Sequence, residues 1–297
     1  MRIQNKLLLV TLALVVLLIF ITGCLFAHYG ETSGIEQLTG QMQALAETLS
    51  LQLESRIQQM DLALLFMLSD PDFLSSISYY TMPGRDVDAN KLLVSNSGGV
   101  INRVIKSYAI HKTIYRATLF TSFGDYFSSH FQSPAPSKAA VLETIASLSW
   151  TEEAQSRQGR MLLLPPYSDP WSQERCDVYG VARALRTTSG ATCYLEIQNK
   201  MDEITTMLNS PGLSGAYAGI YAQDGSVFYV PEDAVPVQNS LLAVSPVNAY
   251  GLSVRVWQSR EAALAMLRPH RLQVAALCAV ALFVSAAYLY FASRRIT

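Results

Sequence analysis

Two apolar runs bracket the chain. Leu7 to Phe26 is 20 residues without a charge, and Leu272 to Ala292 is another 21. Either one, as a helix, is long enough to cross a hydrocarbon core of about 30 Å. Between them the pattern is that of a water-facing, folded segment. Glu31 to Ser69 lacks proline and repeats apolar residues at Ile35, Leu38, Met42, Leu45, Leu49, Leu53, Ile57, Met60, Leu64 and Met67. Steps of three and four predict one long amphipathic helix. Successive steps of four around Leu53 break the heptad, a stutter that locally unwinds a coiled coil. The stripe has two uses that can coexist: packing on the helix's own domain, and pairing with a second copy in a dimer, with the first half paired and the second half packed.

Asp70-Pro71-Asp72 ends that helix, because proline disfavours helix in the residue before it. Phe73 to Asp88 is mixed, with a loop signal at Pro83-Gly84. Ala89 to Tyr108 reads as helix, Thr113 to Thr121 and Tyr126 to Phe131 as strands, and Lys138 to Leu148 as a short helix. Arg160 to Leu164 reads as a strand, followed by an irregular loop from Pro165 to Pro170. Val178–Leu185 and Thr192–Gln198 form a hairpin about Ser189-Gly190, and Lys200 to Leu208 is helical. Pro211-Gly212-Leu213-Ser214-Gly215 is the best internal boundary. Beyond it, Ala216–Gln223 and Ser226–Val230 flank Asp224-Gly225, a strong two-residue hairpin signal. Leu241–Val247 and Gly251–Gln258 are two more strands, and Arg260 to Arg268 leads by helix into the second apolar run. The predicted class is α+β: a long N-terminal helix and two consecutive antiparallel-sheet units, flanked by two transmembrane helices.

Charge sets the sidedness. Arg2 and Lys6 precede the first run and Arg294 and Arg295 follow the second, with no acid near either pair. Positive residues favour the cytoplasm, which places both tips inside and the middle outside. A cleaved signal peptide is the other reading of Leu7–Phe26, but that stretch exceeds a usual signal core and Ala27-His28-Tyr29 is a poor cleavage site. The 245 residues from Ala27 to Arg271 hold all 23 acids and 18 of the 22 bases, a net charge of −5. That is an ordinary, mildly acidic surface, without the clustered Lys and Arg that nucleic acid needs.

Little points to catalysis. Gly212-Leu213-Ser214-Gly215 falls one residue short of a nucleophile elbow. There is no phosphate-binding glycine loop with its lysine and no His-Glu-x-x-His. His28, His111, His130 and His270 are scattered, and no Cys or His pair has metal-ligand spacing, so neither metal nor cofactor is implied. Cys24 and Cys278 lie in the apolar runs. Cys176 and Cys193 lie outside, where a disulfide is permitted. The hairpin pairs residues whose numbers sum to about 377, which sets Cys176 opposite Lys200 and Cys193 opposite Ala184, against a bond.

The order of elements resembles the double Cache sensor module of bacterial transmembrane receptors. The likeness is carried by the membrane helix running into a long helix, the two antiparallel units, and Val178-Tyr179-Gly180-Val181-Ala182-Arg183 leading to Tyr194-Leu195-Glu196-Ile197. Gly219-Ile220-Tyr221-Ala222-Gln223-Asp224-Gly225 adds to it. It is most similar to the sensor half of YesM-like histidine kinases. Ser293-Arg294-Arg295-Ile296-Thr297 looks like the start of a HAMP linker, so a longer gene product is expected. The resemblance divides the chain into a cytoplasmic tip (1–6), a first span (7–26), a signalling helix (27–69), a membrane-distal Cache unit (70–210), a membrane-proximal one (211–271), a second span (272–292) and the linker start (293–297).

The resemblance implies a small ligand on one face of the distal sheet. The family's amino-acid binders carry an arginine before a Trp-Tyr pair, then Tyr-x-Asp, then an aspartate at the end of the last strand. Here Trp150 and Tyr167-Ser168-Asp169 match. Thr151 replaces the tyrosine, Ser147-Leu148-Ser149 holds no arginine, and Gln198 stands at the last aspartate. That argues against an ordinary amino acid and for a sugar or other ligand, or an extracellular solute-binding protein. The candidate ligand residues are Trp150, Tyr167, Asp169, Arg183 and Tyr115. Each also has a plain structural use: Trp150 in a core, Tyr167 and Asp169 shaping a turn, Arg183 in a salt bridge. The implied function is the extracellular input module of a homodimeric sensor histidine kinase. The same module could serve a chemoreceptor, a cyclic-nucleotide enzyme or a membrane-tethered transcription regulator, or the chain could be a non-sensing envelope scaffold or a secreted binding protein.

Overall fold

A computed structural model describes residues 3–84, 90–109, 114–130, 135–172, 174–187, 191–209 and 215–296. The boundary at 211–214, the hairpin turn at 188–190, His111, Phe131 and the ends of the two tips lie outside the described residues. The first element, α1, is a single helix from Ile3 to Ser69. It carries the first apolar run directly into the amphipathic stripe. Met42, Leu49, Leu53, Ile57, Met60, Leu64 and Met67 are all buried. At roughly 1.5–3 kcal/mol for each large apolar side chain, this face is a major source of cohesion. Its partners include the protein's own sheets, which is the first of the two uses read from the sequence.

The chain turns sharply after Ser69. Asp70 caps the next helix, accepting hydrogen bonds from the Asp72 and Phe73 amides, and Pro71 occupies its first turn. The helix α2 therefore spans Pro71–Tyr80, where the sequence pattern looked mixed. The helix α3 spans Lys91–Ala109.

The larger sheet holds β1 (Arg116–Thr121), β2 (Tyr126–Ser128), β3 (Leu162–Ser168), β4 (Asp177–Arg186) and β5 (Thr192–Lys200), all antiparallel, in the order β2-β1-β5-β4-β3. Two short helices, α4 (Lys138–Ser147) and α5 (Thr151–Ser156), lie between β2 and β3. The stretch expected as a loop is part of β3, which runs through Pro165 and Pro166 with a register shift between Leu164 and Tyr167. Being the edge strand, β3 tolerates prolines that cannot donate to a ladder. In the β4–β5 hairpin Cys193 stands opposite Leu185, one residue from the expected register, and both it and Cys176 are free thiols.

After helix α6 (Met201–Leu208) comes the smaller sheet of β6 (Ala216–Ala222), β7 (Val227–Tyr229), β8 (Ser240–Val244) and β9 (Leu252–Ser259), in the order β7-β6-β9-β8. The predicted hairpin closes at Asp224-Gly225, with Gly225 at φ +85°. Leu252, Val254 and Val256 of β9 and Ala218 and Ile220 of β6 join the same core as the α1 stripe. The last helix, α7 (Arg260–Ile296), starts where β9 ends. Both α1 and α7 contain a stretch long and apolar enough to cross a membrane. They pack closely where Gly23 meets Cys278 and Gly34 meets Leu267, since a Cβ at either glycine would collide with the facing side chain.

Two ionic clamps hold α1, one to the larger sheet and one to α6. Arg183 on β4 reaches Asp61 on α1, with Nε at 3.2 Å and Nη2 at 2.5 Å from the same oxygen. Arg56 of α1 reaches Glu203 in α6 at 2.5 Å. Gly180 lets β4 and β5 approach, because a Cβ there would strike the Ile197 carbonyl oxygen. Gly180→Ala is expected to lower the unfolding free energy by about 2–3 kcal/mol. Urea denaturation of the detergent-solubilised chain measures this, and an unchanged midpoint would contradict the hairpin register.

Candidate functional site

Strand alternation separates the two faces of the larger sheet. Ala117 and Leu119 of β1, Tyr179 and Val181 of β4, and Leu195 and Ile197 of β5 point into the core with α1. Arg116, Thr118 and Phe120 therefore project from the other face, as do Tyr194, Glu196 and Gln198. Pairing places Arg116 beside Gln198, Thr118 beside Glu196, and Phe120 beside Tyr194. The neighbouring residues of β4 on this face are Gly180, Ala182 and Ala184. Their small size leaves room for bulky groups to lie over the strand. Those groups come from the end of β3 and the turn beyond it: Tyr167, Asp169 and Trp171.

The result is a buried polar cluster. The Arg116 Nη1 group lies 2.9 Å and 2.8 Å from the two Asp169 oxygens. Its Nη2 donates to the Tyr115 hydroxyl at 3.2 Å. Asp169 Oδ1 also accepts from the Trp171 amide at 3.0 Å. Glu196 accepts from the Tyr167 hydroxyl at 2.5 Å and from Trp171 Nε1 at 3.1 Å. The Tyr167 hydroxyl in turn accepts from Gln198 Nε2 at 2.9 Å. Exposure is 2% for Arg116, 1% for Thr118 and 0% for both Glu196 and Gln198. Yet Arg116 Nε, Thr118 Oγ1 and Gln198 Oε1 have no hydrogen-bond partner among the described residues. Buried polar atoms are nearly always paired, so three orphans on adjacent strand positions mark a place where polar groups from outside would be welcomed.

Burial pushes the Glu196 carboxyl up to about 7, against the lowering effect of its bonds from Tyr167 and Trp171. Arg116, the cation nearest it among the described residues, is engaged by Asp169 and relieves Glu196 little. Burial, and then Glu196 itself, also raise the Tyr167 phenol well above its ordinary value. At the rim, burial and then Arg116 lower the His130 imidazole. Its ring lies 4.9 Å from that of Tyr115, and Lys200 Nζ lies 4.8 Å from the Tyr115 ring. Among the described residues no group of three or more His, Cys, Asp or Glu side chains is placed to hold a metal.

Of the five residues singled out from the sequence, Tyr167, Asp169 and Tyr115 belong to this cluster. Trp150 is on the same face but deeper in the apolar part, edge-on to Phe120 and Tyr194 with centroids 6.0 Å away in each case. Arg183 does not join them. It alternates with Tyr179 and Val181 onto the face packed against α1, where Asp61 and the Gly159 carbonyl hold it. Glu196, Gln198, Thr118 and Trp171 escaped the sequence reading as site residues. An acid in mid-strand, alternating with apolar Leu195 and Ile197, was the available signal for Glu196.

No family model matches the chain, and no curated protein matches it by sequence. Solved structures do. The sensory domain of the Campylobacter jejuni chemoreceptor Tlp3 with isoleucine bound matches with a TM-score of 0.53 at 13% identity, covering 79% of this chain and 98% of that one. The ligand-binding domain of the same chemoreceptor in complex with L-valine gives 0.52 at 12% identity, over 79% and 98% of the two chains. Likeness at this identity defines the fold: the chain has the α+β architecture of Cache-type sensory domains.

The raised Glu196 carboxyl has a stability consequence. Its folded value near 7 exceeds the ordinary 4.5, so the folded state holds the proton more tightly than the unfolded chain does. Stability is then full below about pH 4.5 and falls as pH rises through about 7, by on the order of 3 kcal/mol. Glu196→Gln is expected to flatten this slope in denaturation midpoints measured from pH 4.5 to 8. An equal slope in both proteins would remove Glu196 as its source.

Proposed function

We propose that the chain is the extracellular input module of a transmembrane receptor, sensing a small ligand at the Arg116–Asp169–Glu196 cluster of the larger, membrane-distal unit. The observation that carries this reading is the set of buried, unpartnered polar atoms on one sheet face. The Cache-type fold and the two apolar helices support it. The unit boundaries are those drawn from the sequence, with both termini cytoplasmic and the middle outside. Ligand acts by its differential affinity for two arrangements of the distal unit on α1, relayed through the smaller sheet into α7.

The Tlp3 structures carry isoleucine and valine. Here the Arg116 guanidinium is already taken by Asp169, and Gln198 holds the position of the expected terminal acid. Charge already paired within the protein leaves the orphan donor, hydroxyl and amide oxygen as the recognition groups. They suit a ligand bearing both donors and acceptors, such as a sugar or another non-amino-acid, either free or delivered by an extracellular solute-binding protein. The proposed output is a histidine kinase beyond a HAMP linker. A chemoreceptor output is the second reading, favoured by the architecture shared with Tlp3.

Thermal unfolding of the full chain in nanodiscs, screened against sugars, polyols, amines and amino acids, tests the site. A ligand at 100 times its Kd is expected to stabilise by about 2.7 kcal/mol. Thr118→Val and Gln198→Leu are expected to abolish that shift. The absence of any stabilising compound, or an undiminished shift in both variants, would count against the site.

The same reading makes the receptor a homodimer. The buried α1 stripe is used internally, so pairing falls to the opposite face, where Leu51, Leu62, Leu65 and Phe66 are exposed. Leu62→Cys is expected to give a disulfide-linked dimer on mild oxidation in membranes, while the buried control Leu64→Cys does not. Equal cross-linking of the two would argue against this face.

A further inference from the structure

A concavity lies at the other end of the same sheet face, away from the polar cluster. Its volume is about 770 Å³, within the range of small-molecule sites. Its wall is α5 with the turn that follows, and its floor is the closing end of the β4–β5 hairpin. The polar lining consists of Glu152, Gln155, Ser156, Gln158, Arg186 and Thr192. One acid and one base balance, and the other four groups are amides and hydroxyls. Amides and hydroxyls both donate and accept, which suits the hydroxyls of a carbohydrate better than a ligand with a net charge.

The groove is tied to α1 through its corner. β3 first pairs with β4 at Leu162–Ala182, so β4 beyond Ala182 lacks a strand on that side. The turn at Gln158 and Gly159 lies beside that open edge, with Gly159 next to Ala184 and Leu185. Both turn residues have positive φ, 51° for Gln158 and 83° for Gly159, and Gln158 holds this conformation despite its side chain. The Gly159 carbonyl accepts from Arg183 Nη1 at 2.8 Å. The same guanidinium holds Asp61 of α1 on the opposite face of the sheet. On the α5 side, Gln155 donates to the Tyr194 hydroxyl, and the Tyr194 ring stacks on Phe120 at 5.0 Å. A ligand against Gln155 therefore touches a group bonded to the sheet, and one against Gln158 touches the residue beside Gly159, whose carbonyl bonds Arg183 and, through it, Asp61.

We propose that this groove is a second ligand site, for an uncharged saccharide, coupled to α1 through Gly159, Arg183 and Asp61. It is distinct from the central cluster and does not depend on it. The test is isothermal titration of the full chain in nanodiscs with maltose, cellobiose, trehalose and N,N′-diacetylchitobiose. At least one is expected to bind, with Ser156→Trp, which fills the groove from an exposed position, weakening it tenfold or more. Thr118→Val, in the central cluster, is expected to leave that affinity unchanged. Bound sugar is expected to slow amide exchange around Asp61, an effect that Asp61→Asn loses while keeping the affinity. No binding by any of the four, or full affinity in Ser156→Trp, overturns the groove site. Loss of affinity in Thr118→Val alone would also overturn it and assign the sugar to the central cluster. Binding without an exchange response around Asp61 overturns the coupling.

Discussion

One apolar stripe holds this molecule together. Leu38 through Met67 of α1 lie in a single core with residues from both sheets, so neither sheet can shift without disturbing the same helix. That helix continues unbroken into the apolar run at its other end. A rigid rod with two sheets packed along it converts a local change in one sheet into a change of fit along the whole rod. Packed interfaces of this kind have discrete arrangements rather than a continuum, which is what a switch requires. The Arg183–Asp61 and Arg56–Glu203 pairs add direction to an interface that apolar contact alone would leave free to slide.

The polar cluster on the outer face is the counterpart of that core. Burying an arginine, an aspartate and a glutamate beneath aromatic rings lowers stability unless each finds partners. Arg116 and Asp169 find each other. Glu196 finds only two neutral donors, and its carboxyl responds by holding its proton to near neutrality. A fold selected for stability alone would fill this face with apolar residues, as the neighbouring cluster of Phe120, Val141 and Leu162 does. What sets this face apart is buried charge, on Arg116, Asp169 and Glu196, beside the unpartnered atoms.

The architecture was legible in the sequence because it is written in periods. The ten-residue stripe of α1, the Asp224-Gly225 turn and the β4–β5 alternation each specify one local geometry, and the structure contains all three. Errors fell where local signals conflict with tertiary context. Prolines at 165 and 166 read as a loop, but at a sheet edge they cost no ladder bond, and β3 runs through them. Arg183 has two readings in the sequence, a ligand group and a salt-bridged residue, and the second holds: the alternation from Tyr179 and Val181 puts it on the helix-facing side, where Asp61 takes it. The cluster was legible only in part. Tyr167 and Asp169 came from a motif, whereas the pairing of Arg116 with Asp169 joins residues 53 apart in sequence across the sheet. No period or spacing in one sequence announces such a pair.

The central claim is that the outer face of the distal sheet binds a small molecule. Native mass spectrometry tests it most directly, applied to the full chain released from nanodiscs after incubation with a fractionated metabolite extract. The account predicts a retained small-molecule mass on the unaltered chain that is absent from Arg116→Gln. Identical retained masses on both chains, or none on either, would contradict it.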